Sequence, residues 1–190
     1  MNKILGSILI TFALCVNIFS QNENLIKVAN TAVKSFTWDI QKEDKGSLMF
    51  LDVPYNQENN IEYLTLTVAK NKSIYRPAFI SVIISNKIVQ SNGILISFSK
   101  SVQTKDGNWN IELDKKSTLK INFEKCGKTD CTARIVGGFA ADKITGKKVD
   151  VFQKFLEYDH VYFLFTYSDG TNKSVSVPLF SFKNQYKSLL

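Results

Sequence analysis

The chain has 190 residues, 44% of them hydrophobic and 22% charged, with a formal net charge of +7. That apolar content supports a packed core and excludes a disordered or collagen-like chain. Arg76 and Arg134 are its only arginines and His160 its only histidine. With so few guanidinium forks for reading bases or phosphates, no nucleic-acid partner is expected. The scattered lysines read as a solvated surface, with an anionic envelope polymer or membrane face as the functional alternative.

Lys3 precedes an uncharged, largely apolar run from Ile4 to Ile18, and Ser20 offers a small residue before Gln21. This is the layout of a secretory signal peptide. The run falls short of the roughly 20 residues a spanning helix needs. The expected organisation is a signal peptide over residues 1–20 and a single β-rich domain over 21–190, with no integral membrane span after removal of the signal. Cys15 raises a lipid-modified cysteine as an alternative, but Leu14 stands before it where a small residue would be expected.

Leu25, Val28, Ala29, Ala32 and Val33 recur at helical spacing and suggest a short helix. Phe36, Trp38 and Ile40 alternate as in a strand, and Ser47 to Val53 reads as a second strand stopped at Pro54. Ile61 to Ala69 alternates cleanly. Ala78 to Ile84 is dense enough in β-branched and aromatic residues for a strand buried on both faces. Ile94 to Phe98 follows. Asp106-Gly107 then marks a hairpin joining the segment around Val102 to Trp109–Leu113. Leu119 to Phe123 leads into Cys126, and Cys131 to Val136 leaves it, ending at Gly137-Gly138. Phe139, Ala140, Lys143 and Ile144 predict a short helix stopped at Gly146, and Val149 to Leu156 an amphipathic second one. Val161 to Tyr167 and Val175 to Leu179 form a hairpin around Asp169-Gly170, with Pro178 indicating that the returning strand lies at an edge or contains a bulge. Phe180 to Leu190 closes the chain as a short helix. About ten short strands with two or three short helices predict an all-β, sandwich-like, mostly antiparallel fold.

With the signal removed, Cys126 and Cys131 are the remaining cysteines, and in an exported chain they are expected to form one disulfide fixing a sharp corner between two strands. The C-x4-C spacing is not that of a redox pair, and no histidine stands near enough in sequence to suggest zinc. No metal or other cofactor is expected.

Candidate chemistry is sparse. A Ser-His-Asp hydrolase would have to use His160, which reads more simply as a strand-entry residue. Glu157 and Asp159 resemble a glycosidase pair but sit in a helix-to-strand junction. Gly137-Gly138 lacks the Lys-Ser/Thr ending of a phosphate loop. Asn71-Lys72-Ser73 and Asn172-Lys173-Ser174 match glycosylation acceptors and read as turns. Trp38, Tyr55, Tyr63, Tyr75 and Trp109 could form an aromatic platform for a sugar or protein, or belong to the core and its rim.

From about Phe36 onward the order of features resembles the invasion-associated locus B family of bacterial envelope proteins. Phe123-Glu124-Lys125-Cys126 and Cys131-Thr132-Ala133 are similar to that family's cysteine motif. The Lys147–Leu156 segment, the strand Tyr162–Tyr167, Asp169-Gly170 and Val175–Leu179 follow in the family's order, and Phe180-Ser181-Phe182 resembles its ending, with Ser181 in place of glycine. Trp38 lacks the family's neighbouring cysteine pair. The resemblance implies an exported protein linked to host-cell invasion, without an established catalytic mechanism. The expectation is a non-catalytic protein of the periplasm, cell envelope or secreted fraction with a protein or envelope-glycan partner. The alternative is a secreted β-sandwich module that binds a glycan or other small ligand.

Overall fold

A computed structural model describes residues 37–56, 62–85, 93–114, 118–142 and 145–189. The chain divides into two units, Met1–Lys34 and Ser35–Leu190, and the described residues all belong to the second. The expected signal peptide and the helix around Leu25–Val33 lie outside the described residues, as does the side chain of Trp109.

Alternation sets the architecture. One antiparallel sheet is built from β1 (Asp39–Glu43), β2 (Gly46–Asn56), β3 (Glu62–Asn71), β4 (Pro77–Ser85), β9 (Asp130–Val136) and β8 (Phe123–Cys126), in that spatial order. The other runs β13 (Asn172–Pro178), β12 (His160–Thr166), β5 (Ile94–Gln103) and β6 (Trp109–Leu113), with β7 (Leu119–Ile121) pairing the first half of β5. On β3, Leu64, Leu66 and Val68 are fully buried while Tyr63 points out and is 39% exposed. Their cross-strand partners Val53, Leu51 and Met49 on β2 and Ile84, Val82 and Ile80 on β4 are buried with them. Ile94, Ile96 and Phe98 of β5 and Val161, Phe163 and Phe165 of β12 are the buried alternate positions of the second sheet. This is a sandwich core with period-two alternation, except that β12 also buries His160 and Tyr162 on its other face. Pro178 lies on the edge strand β13, where its missing N–H leaves no ladder bond unmade.

Four local expectations change. The first strand begins at Asp39, and β2 runs through Pro54 to Asn56 by way of a register shift, a bulge that tolerates the proline. The Ala78–Ile84 segment is fully buried on its core face at Ile80, Val82 and Ile84, while on the other face Ser81 is buried and Phe79 and Ile83 are half-buried. Leu119–Phe123 is not one strand, because the chain changes sheets at Asn122 between β7 and β8. Gly93 makes room for this passage, since a Cβ there would stand 2.3 Å from the Ile121 carbonyl oxygen, and its φ is +85°.

The fourth change is the largest. Where a helix is expected from Phe139, Phe139–Ala141 is a strand, β10, paired with β11 (Lys148–Asp150), and Lys143 and Ile144 lie outside the described residues. Helical spacing lost to backbone geometry here. Gly137 and Gly138, at φ 60° and 77°, turn the chain back sharply after β9. Asp142 then accepts from the Thr145 N–H at 2.7 Å and its hydroxyl at 2.8 Å, fixing a turn that Gly146 completes at φ 67°. Among the described residues of this segment the helix is α1 (Val151–Glu157), with Asp150 Oδ1 capping it by accepting from the Gln153 N–H at 2.9 Å. The closing helix α2 (Phe182–Ser188) forms as expected. Phe152, Phe155, Phe182 and Tyr186 from the two helices are buried, and Trp38 packs edge-on to Phe182 at 5.3 Å.

Candidate functional site

The cysteine motif is a hairpin. Cys126 and Cys131 are direct cross-strand partners on β8 and β9, joined by a disulfide with Cα atoms 4.1 Å apart. The Gly127 N–H donates to the Asp130 carbonyl at 2.7 Å and closes the turn between them. Cys131 is buried and Cys126 exposed, so the bond ties a sheet-edge strand to the core-bearing strand beside it. The expected corner is therefore a full reversal of direction.

The candidate catalytic residues do not assemble. His160 is 6% exposed at the start of β12, and its Nδ1 has no hydrogen-bond partner among the described residues. Its cross-strand partner Ser99 donates its hydroxyl to the Tyr162 oxygen at 3.2 Å. Burial holds the imidazole below its ordinary value, against a smaller upward pull from Asp159, so at neutral pH it is uncharged. Asp159 is committed elsewhere, its carboxylate accepting from the Ser101 N–H. Glu157 accepts from the Gln153 amide at 2.7 Å on the exposed side of α1. Nucleophile, base and orienting acid thus lack the shared hydrogen bonds that such chemistry needs. Gly137-Gly138 serves the turn into β10, and the Gly138 carbonyl accepts from the Phe152 N–H at 3.0 Å.

The aromatic residues are dispersed as well. Trp38 belongs to the core. Tyr55 packs edge-on against Phe165 at 5.5 Å, near the start of β3. Tyr75 stands past the other end of β3, edge-on to Phe152 at 6.0 Å and Tyr186 at 6.1 Å. A ten-residue strand separates the two tyrosines, roughly 30 Å along the sheet. Tyr63 lies on the outer face. These four side chains form no common platform.

Sequence reading missed three side-chain clusters. Tyr167 donates to Glu62 Oε2 at 2.7 Å, joining the two sheets beside Tyr55, whose phenol is pushed well above its usual range by burial and by its Tyr167 and Glu62 neighbours. Lys154 on α1 pairs with Asp114, with side chains only 17% and 7% exposed, while Lys154 and Lys100 both lie over the Tyr158 ring. Arg76 lies 4.2 Å from the centre of the Phe139 ring, Lys148 4.0 Å from it, and Arg76 also pairs with Asp150 at 2.6 Å. Each cluster joins residues far apart in sequence, and none has a local signature. Lys70 adds an isolated oddity: it is 2% exposed and its Nζ has no partner among the described residues.

Among the described residues no group of three or more His, Cys, Asp or Glu could hold a metal, and no helix is long and apolar enough to cross a membrane. Compared with known proteins, the chain matches no family model, no curated protein and no solved structure.

Proposed function

We propose that the chain is an exported, non-catalytic protein of the cell envelope or the host-interaction surface. The observation that carries this reading is the Cys126–Cys131 bond across the β8–β9 hairpin. A structural disulfide with one exposed cysteine persists in an oxidising compartment and is reduced in the cytosol. The apolar N-terminal run behind Lys3 supports export independently. The resemblance of the cysteine motif and its downstream strands to the invasion-associated locus B family supports an envelope role. The hydrogen bonds that hold Asp159 and Glu157 apart from each other, and the burial of His160 at the start of β12, favour a structural part for all three. The dispersal of Trp38, Tyr55, Tyr63 and Tyr75 weighs against the glycan-binding alternative, to which Trp109, with its side chain outside the described residues, does not speak.

Intact-mass measurement on the envelope and culture-medium fractions tests the reading. A mature chain beginning near Gln21, with both cysteines oxidised, is the expected result. A chain in the cytosol that keeps Met1–Ser20 and has Cys126 and Cys131 both reduced would refute it.

A further inference from the structure

One end of the sandwich presents aliphatic and aromatic side chains to water beside cations. Ile74 and Tyr75, in the loop from β3 to β4, are 54% and 50% exposed, and Val136 at the end of β9 is 68% exposed. They belong to one surface. Val136 is the cross-strand partner of Phe79 on β4. The Gly137 N–H next to it donates to the Ala78 carbonyl at 2.9 Å, and Arg76 Nε donates to the Gly137 carbonyl at 3.3 Å.

The surface is held in place. The Tyr186 hydroxyl donates to the Tyr75 carbonyl at 2.6 Å, and the Tyr75 ring rests edge-on against Phe152 and Tyr186. The loop is thereby tied to both helices, so presenting its apolar residues costs little further ordering on binding.

Its charge is positive. Arg76 and Lys148 flank the Phe139 ring, and Arg134 lies 4.7 Å from the centre of the Phe79 ring. Lys72 is exposed in the same loop as Ile74. Asp150 pairs with Arg76 and Glu124 with Arg134, which leaves Lys72 and Lys148 as the excess. The adjoining turn carries Lys42, Glu43, Asp44 and Lys45 and is neutral. Cations beside an amphipathic tyrosine and protruding aliphatics match the layered chemistry of an anionic bilayer surface, with phosphate outside and hydrocarbon beneath. A soluble polyanion would answer the lysines but would gain nothing from Ile74 and Val136.

We propose that the end of the sandwich bearing Ile74, Tyr75 and Val136, with Lys72 and Lys148 beside them, docks on an anionic phospholipid bilayer. The apolar residues enter the interface and the lysines meet lipid phosphates. This inference does not depend on where the chain is delivered.

The test is co-sedimentation of the purified full chain with large vesicles of phosphatidylcholine alone or containing phosphatidylglycerol. Binding should favour the phosphatidylglycerol vesicles and weaken as salt rises. Lys72→Glu/Lys148→Glu should lower partitioning by about tenfold or more. Ile74→Ser/Val136→Ser should lower it by about fivefold or more, with salt dependence retained. All four positions are at the surface, and the thermal midpoint of each variant checks that it is folded. Binding that survives both pairs of substitutions undiminished, as binding through the apolar run Ile4–Ile18 would, overturns the proposal. So does equal partitioning into neutral vesicles. Binding to soluble polyphosphate as tight as to anionic vesicles, unaffected by Ile74→Ser/Val136→Ser, would assign the surface to a polyanion instead.

Discussion

The Lys154–Asp114 pair allows a quantitative test of how α1 is anchored to the second sheet. Asp114 follows β6 directly, and its N–H donates to the Phe98 carbonyl at 2.8 Å. Its side chain is 7% exposed and that of Lys154 17% exposed, so both charges are largely withdrawn from water. Removing one partner of such a pair costs about 3–5 kcal/mol, because it strands the other charge. Lys154 keeps some access to solvent, which places Asp114→Ala near the lower end, about 3 kcal/mol. In a domain of this size that lowers the thermal midpoint by about 6–12 °C. Tyr158 adds to the effect, since its hydroxyl donates a hydrogen bond to Asp114 and loses that partner. The double variant Asp114→Leu/Lys154→Met should behave differently. The Lys154 side chain already lies over Phe98 and Tyr158, so a methionine can keep that packing without a charge to satisfy. It should fall within about 1 kcal/mol of the parent. Urea unfolding followed by circular dichroism measures both, with an unchanged m-value as the check on two-state behaviour. A loss under about 1 kcal/mol for Asp114→Ala, or a double variant less stable than the single, would refute the reasoning.

Three other outcomes follow from the structure. Cys126→Ser/Cys131→Ser should lose about 2 kcal/mol in urea unfolding and keep its fold, because the closed loop is short; thiol labelling of the denatured parent without reductant should find neither cysteine free. Gly138→Ala should cost about 2–4 kcal/mol, because φ is +77° and the new Cβ would stand 2.6 Å from that of Phe152; a thermal midpoint equal to the parent's would show that this turn is not strained by a side chain. For His160, burial lowers the folded-state pKa, so the unfolded chain is the stronger proton binder. Stability from this group is complete above about pH 6.5 and falls as pH drops from there to the folded-state value. His160→Gln should flatten that part of the pH–stability curve, and an unchanged slope would mean that another group titrates there.

Much of the strand pattern was legible because β residues report their face by alternation. Leu64, Leu66 and Val68 point inward and Tyr63 outward, as their order predicts. The Asp106-Gly107 and Asp169-Gly170 turns were readable because each glycine supplies a positive φ, 80° and 87°. The same period-two logic could have separated Tyr63 from the other aromatics. The segment after Gly138 was misread because Phe139, Ala140, Lys143 and Ile144 also fit a helical face, and periodicity over so short a stretch cannot outweigh two consecutive turn glycines and the Asp142 turn.

Alternation gives the face of a strand but not the sheet it joins, and the side-chain clusters depend on the sheet. Ile121 and Phe123 share a parity and a similar apolar character, yet they fall in different sheets because the chain crosses at Asn122. No residue pattern on either side marks the crossing; what accommodates it is Gly93, distant in sequence, whose missing side chain leaves room for the Ile121 carbonyl. The same holds for Asp114 and Lys154, 40 residues apart, for Glu62 and Tyr167, 105 apart, and for Tyr75 and Tyr186, 111 apart. Each pair meets only once the crossings have placed its strands and helices. The apolar and basic loop end is of this kind: Ile74, Val136 and Lys148 come from separate connections and become one surface only when β9 pairs with β4 and the β10–β11 hairpin folds back beside Arg76.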